Sequence, residues 1–209
     1  MSLPLTGPAP GFAIRPGGGY YGTGTAHAAP PGEKIPSTHT YSSHPALTTP
    51  GNRLKKLKML WIGRLKKPFW KDAAGHYLTA LGRLHGLEEV VLKDAPGGLD
   101  PVAAAAWEGK KVLEKLGPND LLVCLDERGR SATSVQLAEL LRGWLEDPVR
   151  TPCLVVGGAH GLSPEVTARA NLTLSLGPLT LPHELARVVL LEQLYRAAAI
   201  LRGLPYHHA

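Results

Sequence analysis

Two glycine-bearing loops, each behind an apolar run, hold the residue types in this chain best suited to chemistry. The first is Leu154-Val155-Val156-Gly157-Gly158-Ala159-His160-Gly161-Leu162. The second is Leu172-Thr173-Leu174-Ser175-Leu176-Gly177-Pro178-Leu179-Thr180-Leu181-Pro182-His183. Glycine lets backbone amides approach a ligand with no Cβ in the way. The second loop runs into a helix start, where unpaired N–H groups face outward. Side by side, such loops make a pocket lined mainly by backbone, suited to a small cofactor held by its polar edges. A long apolar helix follows, then the tail Gly203-Leu204-Pro205-Tyr206-His207-His208. Two readings stand for that tail: a frayed chain end, or an aromatic and two imidazoles that reach a neighbouring active site and stack on a base.

Three further groups carry two readings each. Leu125-Asp126-Glu127-Arg128-Gly129-Arg130 is either a cofactor-loop edge offering two arginines to phosphate or a polar turn with a solvated charge pair. His183 is a base or, the favoured reading, a helix-start residue whose ring caps backbone. Arg64, Lys66, Lys67 and Lys71 interleave with Phe69 and Trp70, which suits RNA. They equally suit a solvated loop whose aromatics tuck into the core. No G-x-G-x-x-G or G-K-[ST] sits at a strand-to-helix turn, and no G-x-S-x-G elbow exists. There is no C-x-x-C or H-E-x-x-H, so no metal is expected. Cys124 and Cys153 lie inside apolar runs and read as small buried hydrophobes in a reducing cytoplasm.

The elements that must position these groups alternate. The pattern predicts strands over 57–62, 87–92, 121–125, 152–156 and 172–176, and helices over 69–84, 102–116, 133–145 and 184–202. A short helix begins at Ser163-Pro164-Glu165, with serine as cap and proline in the first turn. Thr133 with Gln136 three residues on is a capping-box pattern. Strand–helix alternation and short continuous apolar strands indicate an α/β fold with a mostly parallel sheet. Ligands bind such sheets at the carboxyl ends of strands, where the glycine loops fall. Leu185, Val188, Val189, Leu190, Leu191, Leu194, Tyr195, Ala198 and Leu201 cover most of the last helix's circumference. A helix apolar all round is buried all round, so a second subunit is expected.

Residues 1–56 form a separate appendage. Their Pro/Gly/Ser/Thr-rich sequence has no sustained period and too little apolar surface to offset its ordering entropy, so disorder is expected. The formal net charge of +6 tempts a nucleic-acid reading, but it is unevenly placed. Five basic and one acidic residue fall in 1–56, whereas the remaining 153 residues hold 18 basic and 16 acidic groups. Any nucleic-acid case rests on local clusters. No apolar run reaches the length of about 18 residues that a membrane span needs, and the N-terminus lacks a signal-peptide pattern.

Taken together, the strings Leu125-Asp126-Glu127-Arg128-Gly129, Gly157-Gly158-x-x-Gly161, Leu179-Thr180-Leu181-Pro182-His183, Arg187, Leu191-Glu192-Gln193-Leu194-Tyr195-Arg196-Ala197 and Pro205-Tyr206-His207-His208 resemble the ribosomal RNA large subunit methyltransferase H family. That family belongs to the SPOUT class of α/β-knot methyltransferases. The resemblance runs from about Leu57 to Ala209. It implies a trefoil knot made by the last strands and helix, a rare exception to un-threaded chains. It implies a homodimer with S-adenosylmethionine bound in the knot. The implied reaction is methylation of N3 of a pseudouridine in large-subunit ribosomal RNA, on assembled ribosomes in the cytoplasm. By match to the family's motifs, Leu125, Gly158, Gly177, Pro178, Leu179, Thr180, Leu181 and Pro182 would contact the cofactor. Tyr206, His207 and His208 would lie near the target nucleotide, in the other subunit's site. The chain departs from the family's pattern at Ala159, His160 and His208.

Overall fold

The computed structural model describes residues 56–206. The expectation of disorder over 1–56 therefore falls outside the described residues except for Lys56, which begins the first strand. Ten elements follow in strict alternation: β1 (Lys56–Ile62), α1 (Pro68–Gly82), β2 (Gly86–Leu92), α2 (Pro101–Lys115), β3 (Asp120–Ser131), α3 (Ser134–Glu146), β4 (Thr151–Val156), α4 (Pro164–Arg169), β5 (Leu172–Ser175) and α5 (His183–Leu201). The five strands form one sheet, in the order β2-β1-β4-β3-β5, and every pairing is parallel.

Strand alternation sorts the core into two layers. Leu57, Met59, Trp61, Val123, Leu154, Val156 and Leu174 face α1, α3 and α5. Leu60, Ile62, Leu122, Cys124, Cys153 and Val155 face the other way, towards Val112 of α2 and Val166 of α4. Helices cover both faces, which is why β1, β3 and β4 read as unbroken apolar runs. Both cysteines are free and buried. Burial pushes each thiol up to about 12.

The helix signals behave as their chemistry requires. Thr133 accepts the backbone N–H of Gln136, and the Gln136 side chain accepts the Thr133 N–H, so the capping box is complete. Ser163 caps α4. α5 ends in a Schellman turn: Gly203, at φ +62°, donates its N–H to Ile200 O, and Leu204 donates to Ala199 O. His183 departs from the favoured reading. It is the first helical residue, behind Pro182, and no side chain caps α5.

The largest difference from expectation is β3. Its apolar run stops at Leu125, but the strand continues through Asp126–Ser131 and pairs with β5 in two registers separated by a bulge. Two devices hold β5 there. The Asn171 side-chain Oδ1 accepts the Leu122 N–H at 2.8 Å while the Asn171 backbone N–H donates to Leu122 O, splicing the start of β5 to β3. Gly129 meets β5 backbone: a Cβ there would lie 2.7 Å from the Leu174 carbonyl carbon. Neither leaves a hydrophobic signature.

α5 lies between α1 and α3, with Leu190, Leu191, Leu194, Ala197 and Ala198 in the core. Leu185, Val188, Val189 and Tyr195 remain only half-buried. No helix of the described residues is long and apolar enough to cross a membrane.

His85, after α1, is 7% exposed, and its Nε2 has no partner. Burial first, and Arg202 second, lower its pKa from 6.5 to about 4. A histidine held neutral by the fold contributes stability that is present above pH 6.5 and lost as pH falls towards 4. Chemical-denaturation stability of the parent should therefore fall across that window, and His85→Phe should flatten the fall.

Candidate functional site

The loops at the carboxyl ends of β3, β4 and β5 converge on one edge of the sheet. Leu125, Ser131, Ala132, Leu137, Leu174, Ser175, Leu176, Gly177 and Leu190 enclose a cavity of about 140 Å³ there. Its walls are leucine side chains and the backbone of the β5 loop. The sequence reading expects a pocket lined mainly by backbone at the strand ends; the cavity there is walled by leucine side chains as well as by loop backbone. Of the eight residues expected at a cofactor, Leu125 and Gly177 line this cavity. Pro178, Leu179, Thr180 and Pro182 are exposed on the loop beyond it, and Leu181 is half-buried.

Each loop has its own brace. Ser175 Oγ accepts the Gly177 N–H at 3.1 Å and donates to Gly177 O at 2.8 Å, with Gly177 at φ +136°. Thr180 Oγ1 donates to the Glu127 carboxylate, tying the β5 loop to the β3 turn. Asp126 accepts Arg128 through backbone N–H, Nε and Nη2, each at 2.9 Å. Arg128 is thus folded onto its neighbour in an exposed local pair, the geometry of a polar turn. After β4, Gly161 at φ +77° donates to Gly158 O at 3.2 Å.

Glu108 is a functional candidate that sequence reading gave no role. It is 5% exposed on α2, beneath the β4 loop. Its Oε1 accepts the Ala95 N–H at 2.9 Å, and its Oε2 has no partner. A Cβ on Gly158 would lie 2.6 Å from that oxygen. One carboxylate therefore holds the loop after β2 and lies beneath the loop after β4. The sequence signal was an acid on the apolar side of an Ala-rich helix.

Arg187 is the second. It is 2% exposed and donates to the carbonyls of Gly63, at 2.8 Å, and Ile62. Its guanidinium lies 5.6 Å from the Trp61 ring centroid. Burial pulls its pKa down to about 10. His183 lies one turn before it, its pKa lowered by burial and then by Arg187. A cation within an otherwise apolar helix was the available signal.

Of the tail, Tyr206 is described, and His207 and His208 lie outside the described residues. Tyr206 returns onto α5. Its hydroxyl donates to Glu192 Oε1 at 3.3 Å, and its ring stands edge-on to Tyr195 with centroids 4.6 Å apart. Arg196 binds the same Glu192 oxygen and lies 4.9 Å from the Tyr206 centroid. Burial and the Tyr77 and Glu192 neighbours raise the Tyr206 pKa, so this phenol acts as a hydrogen-bond donor and not as a base. Among the described residues no group of three His, Cys, Asp or Glu is placed to hold a metal.

The two adjacent glycines after β4 should respond differently to a methyl group. At Gly157 a Cβ would meet the Gly161 backbone at 2.7 Å, which cannot swing aside. At Gly158 it would meet the end of the Glu108 side chain, which can. Gly157→Ala should cost about 1–3 kcal/mol and Gly158→Ala less, measured by urea unfolding.

A family profile described as "Predicted SPOUT methyltransferase" matches residues 55–207. "Ribosomal RNA large subunit methyltransferase H" of Maridesulfovibrio salexigens is 54% identical over 155 residues, covering 74% of this chain and 99% of that one. The protein of the same name from Nitratidesulfovibrio vulgaris is 50% identical over 155 residues, with the same coverage. Among solved structures, a probable methylase family protein from Haemophilus influenzae aligns over 73% of this chain and 70% of its own, at 14% identity and TM-score 0.44. The assignment rests on the sequence matches, which span the sheet, both glycine loops and α5: the chain belongs to the ribosomal RNA large subunit methyltransferase H family of SPOUT methyltransferases.

Proposed function

We propose that this protein uses S-adenosylmethionine to methylate N3 of a pseudouridine in large-subunit ribosomal RNA, on assembled ribosomes in the cytoplasm. The observation that carries this reading is the cavity of leucine side chains and loop backbone between the ends of β3 and β5, in a chain 54% identical to a ribosomal RNA methyltransferase. An apolar cleft rimmed by carbonyls and amides fits a flat heterocycle that presents donors and acceptors along its edge. Leu125, Gly158 and the loop 177–182 would hold the cofactor. When bound, its sulfonium supplies an activated methyl group.

The chain's own residues then have to position and deprotonate. Ser175 and Glu127 fix the β5 loop, so its amides are set before any ligand arrives, which lowers the ordering cost of binding. Glu108 lies beneath the β4 loop and holds the loop after β2 through the Ala95 N–H. Tyr206, gripped by Glu192 and Tyr195, would aim the last residues at the nucleotide. The acceptor is an imide nitrogen that must lose a proton. His207 is the proposed base, with His208 as a neighbouring donor that stabilises the developing anion and Tyr206, its hydroxyl given to Glu192, lying near the nucleotide.

The same reading includes a trefoil knot formed by the last strands and α5. The placement of β5 beyond β3, and the return of α5 between α1 and α3, support it. It includes a homodimer through α5, supported by the half-buried Leu185, Val188, Val189 and Tyr195. Residues 57–209 would form the methyltransferase domain, with 1–56 an appendage outside it.

The deciding experiment is transfer of labelled methyl from S-adenosylmethionine to ribosomes lacking the modification, with free large subunits and transfer RNA as controls. Label at N3 of a large-subunit pseudouridine, on ribosomes alone, is expected. Label on transfer RNA would move the substrate, and cofactor binding without any label would leave a catalytically silent ribosome-binding dimer. His207→Ala should cut turnover by about 10²-fold or more at unchanged cofactor affinity; full turnover in that variant would remove the proposed base.

A further inference from the structure

The larger of the two cavities described is not the one between the ends of β3 and β5. It measures about 380 Å³ and lies on the other side of α5, between α1, the end of β1 and the open face of the edge strand β2. Leu190 walls the smaller cavity and Leu191 the larger, so one helix separates them. The sequence reading left the basic-aromatic cluster after β1 undecided, and two of its members, Arg64 and Lys71, line this cavity.

Three observations describe what the cavity fits. Its walls are mostly apolar, through Leu65, Ala74, Leu78, Val91 and Leu191, over a Trp61 floor. Its charges are three cations, Arg64, Lys71 and Arg187, against the single carboxylate Glu89. None of the three cations has a carboxylate within ion-pair distance among the described residues. Outside it, Phe69 is 58% exposed, stacked at a tilt against Trp70 with centroids 4.7 Å apart. Phe69 is thus not tucked into the core, and Trp70 is half-buried.

The third observation is Gly75, which lines the cavity from the middle of α1. Its φ is not positive, and a Cβ there would meet nothing within 4 Å. Neither backbone conformation nor packing requires glycine, and its presence costs the helix about 1 kcal/mol relative to alanine. What the missing side chain does preserve is open volume beside Lys71.

We infer that this cavity is a second nucleotide site, which takes a base of single-stranded RNA against the Leu65–Leu78–Val91 walls and its phosphate at Arg64 and Lys71. A flat body with an anionic end matches apolar walls under a cationic rim, and exposed aromatics beside lysines are how sequence-tolerant RNA sites hold successive bases. The proposal rests on the RNA-methyltransferase reading and extends it: this nucleotide is an anchor, distinct from the one methylated, because α5 stands between it and the β3–β5 cavity.

The test fills the cavity without altering its charge. Gly75→Phe, with Gly143→Phe on the exposed surface of α3 as the matched control, would be compared with the parent in four measurements. These are S-adenosylmethionine affinity, dimer mass, affinity for a short labelled oligouridylate, and methyl transfer to ribosomes. Gly75→Phe is expected to bind cofactor and dimerise as the parent does, yet to lose about tenfold in oligouridylate affinity, with KM for ribosomes raised and Gly143→Phe unchanged. Arg64→Glu with Lys71→Glu should weaken binding further and flatten its salt dependence. Parental oligouridylate binding and KM in Gly75→Phe would overturn the proposal. Loss of the dimer in that variant would show that the cavity receives a second copy of the chain instead. A parent that labels no RNA would sink the methyltransferase reading, while the oligouridylate measurement would still decide the cavity.

Discussion

The position of α5 decides the shape of everything functional in this protein, and one buried guanidinium fixes that position. Arg187 reaches from the first turns of α5 to the carbonyls of Ile62 and Gly63, at the point where β1 ends. Carbonyls at a strand end have no partner in the ladder, so they would otherwise be buried acceptors with an unmet bond. The guanidinium supplies them, and the Trp61 ring lies against it. A lone charge in such a place carries a desolvation cost, reflected in its lowered pKa. The arrangement is stable because it answers two backbone groups at once. With α5 pinned to β1, its Leu190 and Leu191 close two different cavities on its two sides.

The loops that surround α5 follow a division of labour between backbone and side chain. Glycine appears where chains approach each other, at Gly157 against Gly161 and at Gly129 against β5. Side chains appear one layer out, as braces: Ser175 on its own loop, Thr180 with Glu127 across two loops, Glu108 on the loop after β2. The β5 loop therefore presents backbone beside leucine side chains at the β3–β5 cavity, while its rigidity comes from polar groups of the loops themselves. Such a site exposes few side chains to be mistaken for chemistry, which is also why its leading sequence signal was an absence of Cβ atoms.

That explains how much could be read in advance. The alternation of elements, the parallel sheet, the Thr133–Gln136 box and the Ser163 cap were legible because each is local and rests on residues within a turn of one another. The continuation of β3 through Asp126-Glu127-Arg128 was not, because polar residues there are held by Asn171 and by the Gly129 approach, partners more than 40 positions away. The pairing of Arg128 with Asp126, two residues back, was legible in the sequence as the polar-turn reading. Glu108 and Arg187 were invisible as functional groups, since their meaning depends on which loop end the fold sets above them. His183 misled because proline before it starts the helix without any side-chain cap.

The two cysteines carry a practical consequence. Cys124 and Cys153 lie in neighbouring strands on the α2/α4 side of the sheet, with thiols pushed up to about 12. Thiolate is the reactive species, and both thiols are fully buried and disfavoured as thiolates; they are the only cysteines in the sequence. A single cysteine introduced on the exposed surface would thus be the one group that maleimide or iodoacetamide reagents find. The natural chain already serves as the unreactive background for site-directed spectroscopic labels.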